Sequence, residues 1–344
     1  MLACVAHGAR DLRIDDLPEG QPEAGSIAVD IEYGGICGSD LHYYHRGRVG
    51  DFVIQQPLVL GHEVVGRVRE LGAGVDGPAV GTAVAIHPAT PCDACPECRD
   101  GRRNVCRNTR YLGSAARFPH VQGGFSRVLA IRAEQVVPLP EGLSLRRAAV
   151  AEPLSVALHA VSRAGDVAGR RVLVTGAGPI GCLVVAALVA AGAAEIVVSD
   201  LVDEALAVAT ASGATSVVRA DRPDDANWPE DVDAAIEASG SSAGLRSCIE
   251  RVRRGGTVVQ LGLLPPGDTA FPGNLIVTRE ISLVGAFRFD HEFQHALELL
   301  AGGLEVDAVL THVLPLTDAV AAFDLAGDRQ RACKVLLDFR PAPE

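Results

Sequence analysis

Lysine is almost missing from this chain of 344 residues: Lys334 is the only one, and methionine and tryptophan also occur once each. Chemistry through a lysine Schiff base therefore has a single candidate residue. Positive charge is otherwise carried by arginine, and the formal net charge is -12. With no dense arginine cluster to override it locally, that balance repels a phosphate backbone and excludes nucleic acid as an expected partner. Long hydrophobic runs are scarce too. The longest, residues 180–194, is roughly fifteen residues and rich in Ala and Gly, short of what a membrane span needs, so it reads as a buried helix. The N-terminus, Met-Leu-Ala-Cys-Val-Ala-His, has no secretory pattern, and nine cysteines is an odd number. Reduced thiols in the cytoplasm are the expectation.

The length exceeds the size at which one hydrophobic core usually stops growing, which predicts two domains. Up to about residue 150, short β-like runs alternate with Gly and Pro: Ser26 to Tyr33, His62 to Val68 and Ala79 to Ile86. That texture predicts a small β-barrel. After Glu152-Pro153, apolar strands alternate with Ala-rich helical stretches, the βαβ pattern of a parallel sheet. Its expected strands are Arg171 to Thr175, Glu195 to Ser199, Ser216 to Arg219, Ala234 to Glu237, Gly256 to Leu261 and Ile281 to Ala286. A helical segment from Glu292 to Leu300 and a closing β run from Lys334 to Phe339 are too little for a core of their own. The expected division is 1–152 for a catalytic domain, 153–287 for an inserted doubly wound α/β domain, and 288–344 for a return to the first, with a cleft between the two bodies.

Four thiols, Cys92, Cys95, Cys98 and Cys106, crowd into a loop containing Pro91, Pro96 and Gly101. Four thiolates around one zinc make a closed, structural site with no place for substrate. A nucleic-acid-binding zinc module would want two separated pairs and basic flanks, which this acidic chain lacks. The remaining thiols Cys4, Cys182, Cys248 and Cys333 read as small core fillers.

A catalytic zinc needs three ligands and one open position. Cys37 and His62 supply two, and two carboxylates compete for the third: Glu63 beside His62, and Glu152 at the domain junction. Taken singly, each has a plainer reading as a core cysteine, a satisfied core histidine or a helix-start carboxylate. The combination points to a Lewis-acid centre. Ser39 and His42 follow Cys37 and are candidates to relay an alcohol proton outward, while Asp40 orients or caps.

Gly176-x-Gly178-x-x-Gly181 follows the strand-like run Arg171 to Thr175, opens a long apolar helix through Pro179 and Ile180, and is trailed by Asp200. In that context the glycines are a dinucleotide fingerprint: Gly176 for the tight turn, Gly178 for backbone approach to a pyrophosphate, Gly181 for close helix packing. Asp200 is expected to accept hydrogen bonds from ribose hydroxyls, and residues 201–205 bring no base for a 2′-phosphate, so NAD is favoured over NADP. Ser239 and Gly262, at the ends of later strands, are expected along the path of the cofactor. The Tyr-x-x-x-Lys pair of zinc-free short-chain dehydrogenases fails, because Gln330 stands four residues before Lys334.

These residues together resemble the zinc-containing medium-chain dehydrogenases. Gly61-His62-Glu63-x-x-Gly66-x(5)-Gly72-x-x-Val75 reproduces that superfamily's zinc signature, and the four-cysteine lobe and inserted fingerprint agree in order and spacing. Gly35 to Tyr44 and Phe287-Arg288-Phe289 resemble its sorbitol dehydrogenase branch, and Gly113 to Phe125 is similar to the L-idonate 5-dehydrogenases. The resemblance covers nearly the whole chain. It implies a GroES-like catalytic domain with a Rossmann insertion, catalytic and structural zinc, NAD(P), and reversible oxidation of a secondary alcohol on a polyol or aldonate. It also implies a homodimer or homotetramer, and it places Tyr43 and Arg288 near the substrate. Relatives often carry a base five positions after the ribose-binding acid, where this chain has Ala205. An aldonate carboxylate calls for a cation, for which Arg288, Arg117 and Arg110 are candidates.

Overall fold

The computed structural model describes residues 1–222 and 226–341. They form two compact units, one of Met1–Glu152, Leu310–Asp328 and Lys334–Glu344, the other of Pro153–Val309 and Arg329–Cys333. Residues 288–309, expected in the returning segment, instead belong to the second unit. The helix Glu292–Ala301 buries Phe293, Ala296, Leu297 and Leu300, and its Glu292 bonds His159 of the same unit at 2.8 Å. An amphipathic helix follows the apolar face available to it, and that face is not legible in the helix's own sequence.

The first unit is built on the long strand Ser26–Gly35. Ile27, Ala28, Val29 and Ile31 are buried while Asp30 is exposed, so the strand is covered on both faces at its start and turns one face to water from Asp30. One edge pairs antiparallel with Glu63–Leu71; the other pairs first with Val128–Arg132 and then with Lys334–Asp338. Three stretches far apart in sequence therefore meet on one strand. The strand ends in Gly34-Gly35 because side chains cross it there. A Cβ on Gly35 would lie 2.1 Å from the Glu63 carboxylate, and one on Gly34 would strike the Phe125 ring. Phe125, Phe323 and Phe339 are fully buried, and the Phe125 ring packs against both others, with centroids 6.4 and 5.8 Å away. Each contributes about 1.5–3 kcal/mol of apolar burial, which ties the returning helix Ala319–Gly327 and strand Lys334–Asp338 to the barrel.

The second unit holds six parallel strands in the order third, second, first, fourth, fifth, sixth along the sheet. That is the doubly wound order in which a ligand binds outside the carboxyl ends of the first strands. Val172, Leu173 and Val174 are all buried, as are Ile196, Val197 and Val198, because parallel strands are covered on both faces. The apolar run becomes the helix Pro179–Ala190, buried from Gly181 to Leu188. Among the described residues no helix is long and apolar enough to cross a membrane. Val252–Gln260 begins four residues before the expected start at Gly256, since Val252 pairs with Val232 ahead of an irregular step. The intervening Arg253-Arg254-Gly255 is exposed, so no apolar pattern announces it.

Candidate zinc centre and nucleotide loop

Cys37 caps the helix Gly38–Arg46 in an extended conformation, and its amide donates to Asp40 Oδ2 at 2.9 Å. This is half of a capping box, with an aspartate three residues into the helix satisfying the capping amide. The other Asp40 oxygen accepts the Gly61 amide at 3.2 Å and lies 3.9 Å from His62 Nδ1. Asp40 is fully buried. It therefore fixes both the loop bearing Cys37 and the turn bearing His62. That turn needs glycine: Gly61 has φ +90 and a Cβ there would lie 2.0 Å from Phe125. Glu63 opens the next strand, directed over Gly35.

The ligand atoms of Cys37, His62 and Glu63 lie within 4.8 Å of one another. Glu152, the other carboxylate considered, is buried in the first turn of the helix Ala151–Arg163 and accepts the Tyr111 hydroxyl at 2.5 Å. Between Glu63 and Glu152, only Glu63 joins the compact set. The sequence also concealed its partner. Lys334 Nζ donates to both Glu63 oxygens, at 2.9 and 2.8 Å, and to the Ile36 carbonyl at 3.0 Å. The single lysine is thus a buried counter-ion, held at 2% exposure, rather than an imine-forming amine.

Charge tests whether a metal fits. Cys37, Asp40, Glu63 and Glu152 gather four acidic groups around His62 with Lys334 as the one lysine, an arrangement that a dication would balance. Burial would push the His62 imidazolium down in pKa, but Asp40, Cys37 and Glu152 outweigh it and raise it well above the usual value. Burial likewise pushes the Glu63 carboxyl up to about 7 despite Lys334. His62 Nδ1 is buried with no hydrogen bond. A cysteine sulfur, an imidazole and a carboxylate converging among acidic, largely buried groups are a zinc donor set.

In the lobe, Cys92, Cys95, Cys98 and Cys106 also converge within 4.8 Å. Adjacent sulfurs are 3.4, 3.5 and 3.8 Å apart. A tetrahedron with Zn–S bonds of about 2.3 Å spaces its sulfurs by roughly 3.8 Å, so the four thiols are already placed for one ion. Backbone amides of Ala94 and Cys95 pull the Cys92 thiol down to about 6, and the amides of Cys92 and Asn108 reach Cys106 Sγ. Cys4, Cys182 and Cys248 are buried as expected of core fillers, while Cys333 is half-buried.

Ser39 and His42 share the Gly38–Arg46 helix three residues apart, hence one face, and both are half-buried. Burial and the neighbouring Arg46 and His45 lower the His42 pKa. Tyr43 is 3% exposed and its hydroxyl accepts the Ala115 amide at 2.9 Å, so part of its polar capacity is already engaged. Arg117 reaches the carbonyls of Thr109 and Arg107, a structural clamp on the lobe rather than a receptor for an anion. Arg110 is exposed, and Arg288 lies over the Phe287 ring at 4.7 Å in the second unit.

In the second unit, Gly178 caps the helix Pro179–Ala190 with no side-chain cap, leaving its first amides for an outside acceptor. Gly176 has φ +94, and a Cβ on it would lie 2.7 Å from the Ser239 backbone; one on Gly181 would lie 1.8 Å from the Gly176 carbonyl. Gly178 differs. Its Cβ would meet nothing within 4 Å, so no contact within the protein demands glycine there, and the space is open to a pyrophosphate. Asp200 accepts the Ala177 amide at 2.6 Å and those of Leu201 and Val202 at 2.7 and 3.0 Å. Ser239 and Gly262 pack on the fully buried Glu237, which takes the Ser239 amide at 2.8 Å and Gln260 Nε2 at 2.6 Å. A Cβ on Gly262 would lie 2.3 Å from the Gly240 amide, so packing by itself accounts for that glycine.

Two family models match the chain, "Alcohol dehydrogenase GroES-like domain" over residues 23–141 and "Zinc-binding dehydrogenase" over residues 179–302. The chain belongs to the zinc-binding alcohol dehydrogenase family. This dehydrogenase is 40% identical over 342 residues to the L-idonate 5-dehydrogenase (NAD(P)(+)) of Escherichia coli K12, with 98% of each chain covered. It is 36% identical to the sorbitol dehydrogenase of Bacillus subtilis, over 88% of this chain and 87% of that one. Its fold superposes on the crystal structure of an L-idonate 5-dehydrogenase from Escherichia coli with a TM-score of 0.93 at 39% identity, covering 98% of both. The dehydrogenase is a zinc-binding oxidoreductase of alcohols, as the motifs at residues 61–75 and 176–181 imply.

Proposed function

We propose that the dehydrogenase oxidises a secondary alcohol of a sugar acid, L-idonate to 5-keto-D-gluconate, with NAD(P) as acceptor. The observation carrying this reading is the compact set of Cys37, His62 and Glu63 in a chain 40% identical over its length to an L-idonate 5-dehydrogenase. When bound, zinc supplies a Lewis acid for the alcohol oxygen, and the nicotinamide supplies a hydride acceptor. Cys37, His62 and Glu63 are the zinc ligands in this reading, and Asp40 holds the turn that carries His62. Tyr111 holds Glu152 close by, as a carboxylate able to exchange into the set. Ser39 and His42 pass the alcohol proton outward. Gly176, Gly178 and Gly181, with Pro179 and Ile180, cradle the pyrophosphate, and Asp200 faces the ribose. Cys92, Cys95, Cys98 and Cys106 hold the structural zinc.

Arg110 and Arg288 are the cations read as meeting the aldonate carboxylate, and Tyr43 is read as a further substrate contact. A sorbitol- or xylitol-type substrate is the second reading, supported by the 36% identity to a sorbitol dehydrogenase. Initial rates with L-idonate and sorbitol separate the two: L-idonate is the faster, and Arg110→Ala or Arg288→Ala raises KM for L-idonate while sparing sorbitol. Faster turnover of sorbitol contradicts the first reading. The protein is read as cytoplasmic and homo-oligomeric, with neither nucleic acid nor membrane as partner. Support for self-association comes from the sheet's outermost strand Ser282–Gly285, which carries no charge and exposes Leu283, and from Phe271 and Val277, which are also exposed.

A further inference from the structure

Asp200 is the acid that sequence alone sets against a 2′-phosphate, yet its carboxylate is fully engaged before any ligand arrives. One oxygen accepts the Leu201 and Val202 amides; the other accepts the Ala177 amide and the Arg329 guanidinium. A carboxylate offers about four lone-pair positions, and these four donors use them. Asp200 is 3% exposed and Arg329 is 48% exposed at the side chain. The arginine is thus half-exposed beside a buried acid. Asp200 is its only hydrogen-bond partner among the described residues. The other nearby base, Arg219, pairs with both Asp203 and Asp221 and has no comparable freedom.

We propose that Arg329 is the determinant of cofactor choice, a movable guanidinium that admits NADP(H) beside NAD(H). With NAD(H), Arg329 swings away from Asp200 and frees an acceptor for a ribose hydroxyl. With NADP(H), it stays, neutralises Asp200 and donates its remaining N–H groups to the 2′-phosphate, a charge-assisted bond that arginine's fork suits. The base lies 129 residues after the acid instead of five. The inference rests on the reading that residues 176–181 and Asp200 hold the dinucleotide.

Fluorescence titration of the full-length protein with NADH and NADPH tests it without a substrate. The wild type binds NADPH with a Kd within about tenfold of that for NADH, and Arg329→Ala shifts the ratio toward NADH by roughly tenfold or more. Arg329→Lys falls between. Should the alanine variant not fold, competition on the wild type serves: adenosine 2′,5′-bisphosphate displaces NADPH at least as well as ADP does. An unchanged ratio in Arg329→Ala, or weaker displacement by the 2′,5′-bisphosphate, overturns the proposal. A wild type that binds NADH while excluding NADPH also overturns it, leaving the dinucleotide reading intact. A wild type that binds neither nucleotide overturns both.

Discussion

Lys334 donates to both carboxylate oxygens of Glu63, at 2.8 and 2.9 Å, and both side chains are essentially inaccessible to water. Removing one partner of a buried ion pair costs about 3–5 kcal/mol, because the other charge is left without compensation. Lys334→Met is therefore expected to lower the unfolding free energy measured by urea titration by that amount, and adding Glu63→Gln is expected to recover much of the loss. A single variant as stable as the wild type contradicts the pairing.

Two glycines of the nucleotide loop are expected to part company. Gly181→Ala sets a methyl group against the Gly176 carbonyl and forces the helix from the sheet, so its melting temperature falls. Gly178→Ala meets no protein atom. Its melting temperature stays near that of the wild type while NADH affinity drops by roughly tenfold, since the methyl group occupies space meant for pyrophosphate. Equal effects of the two on stability run against this division.

Acid should loosen the second unit through Glu292. Burial would raise its carboxyl, but hydrogen bonds from His159 and the Asp290 amide prevail and hold it at about 2, below an ordinary value of 4.5. The depressed folded-state pKa means the contribution is present above pH 4.5 and is lost as pH falls toward 2. Glu292→Gln is thus expected to be less stable than the wild type at pH 7 and to match it near pH 2. A stability difference independent of pH contradicts that assignment.

The lobe thiols are expected to serve stability alone. Cys95→Ser should lower the melting temperature and release one zinc, while the folded fraction retains wild-type affinity for the nucleotide. Selective loss of nucleotide affinity at full thermal stability is the opposite result.

What was legible in the sequence was whatever a short window holds. Cys92 to Cys106 spans one loop, Gly176 to Gly181 one turn, and residues 171–175 one strand, so local spacing carries their geometry. Contacts closed by the fold were hidden. Lys334 meets Glu63 across 271 residues and Arg329 meets Asp200 across 129, because the returning chain visits both units. Read in isolation, Lys334 suggested only an imine-forming amine. Glu63 and Glu152 were equivalent on paper, and the hydroxyl of Tyr111 that holds Glu152 had no signal near it. The helix Glu292–Ala301 is legible from its own pattern but its unit is not, since an apolar face does not name its partner.

Zinc content measured together with turnover tests the central claim most directly. The wild type is expected to hold two zinc ions per chain. Cys37→Ser or His62→Ala should hold one, keep its circular dichroism spectrum and lose at least a thousandfold in kcat, on the scale of several kcal/mol that a Lewis acid supplies. A protein depleted of metal yet fully active, or a Cys37→Ser variant with unchanged turnover, contradicts the account.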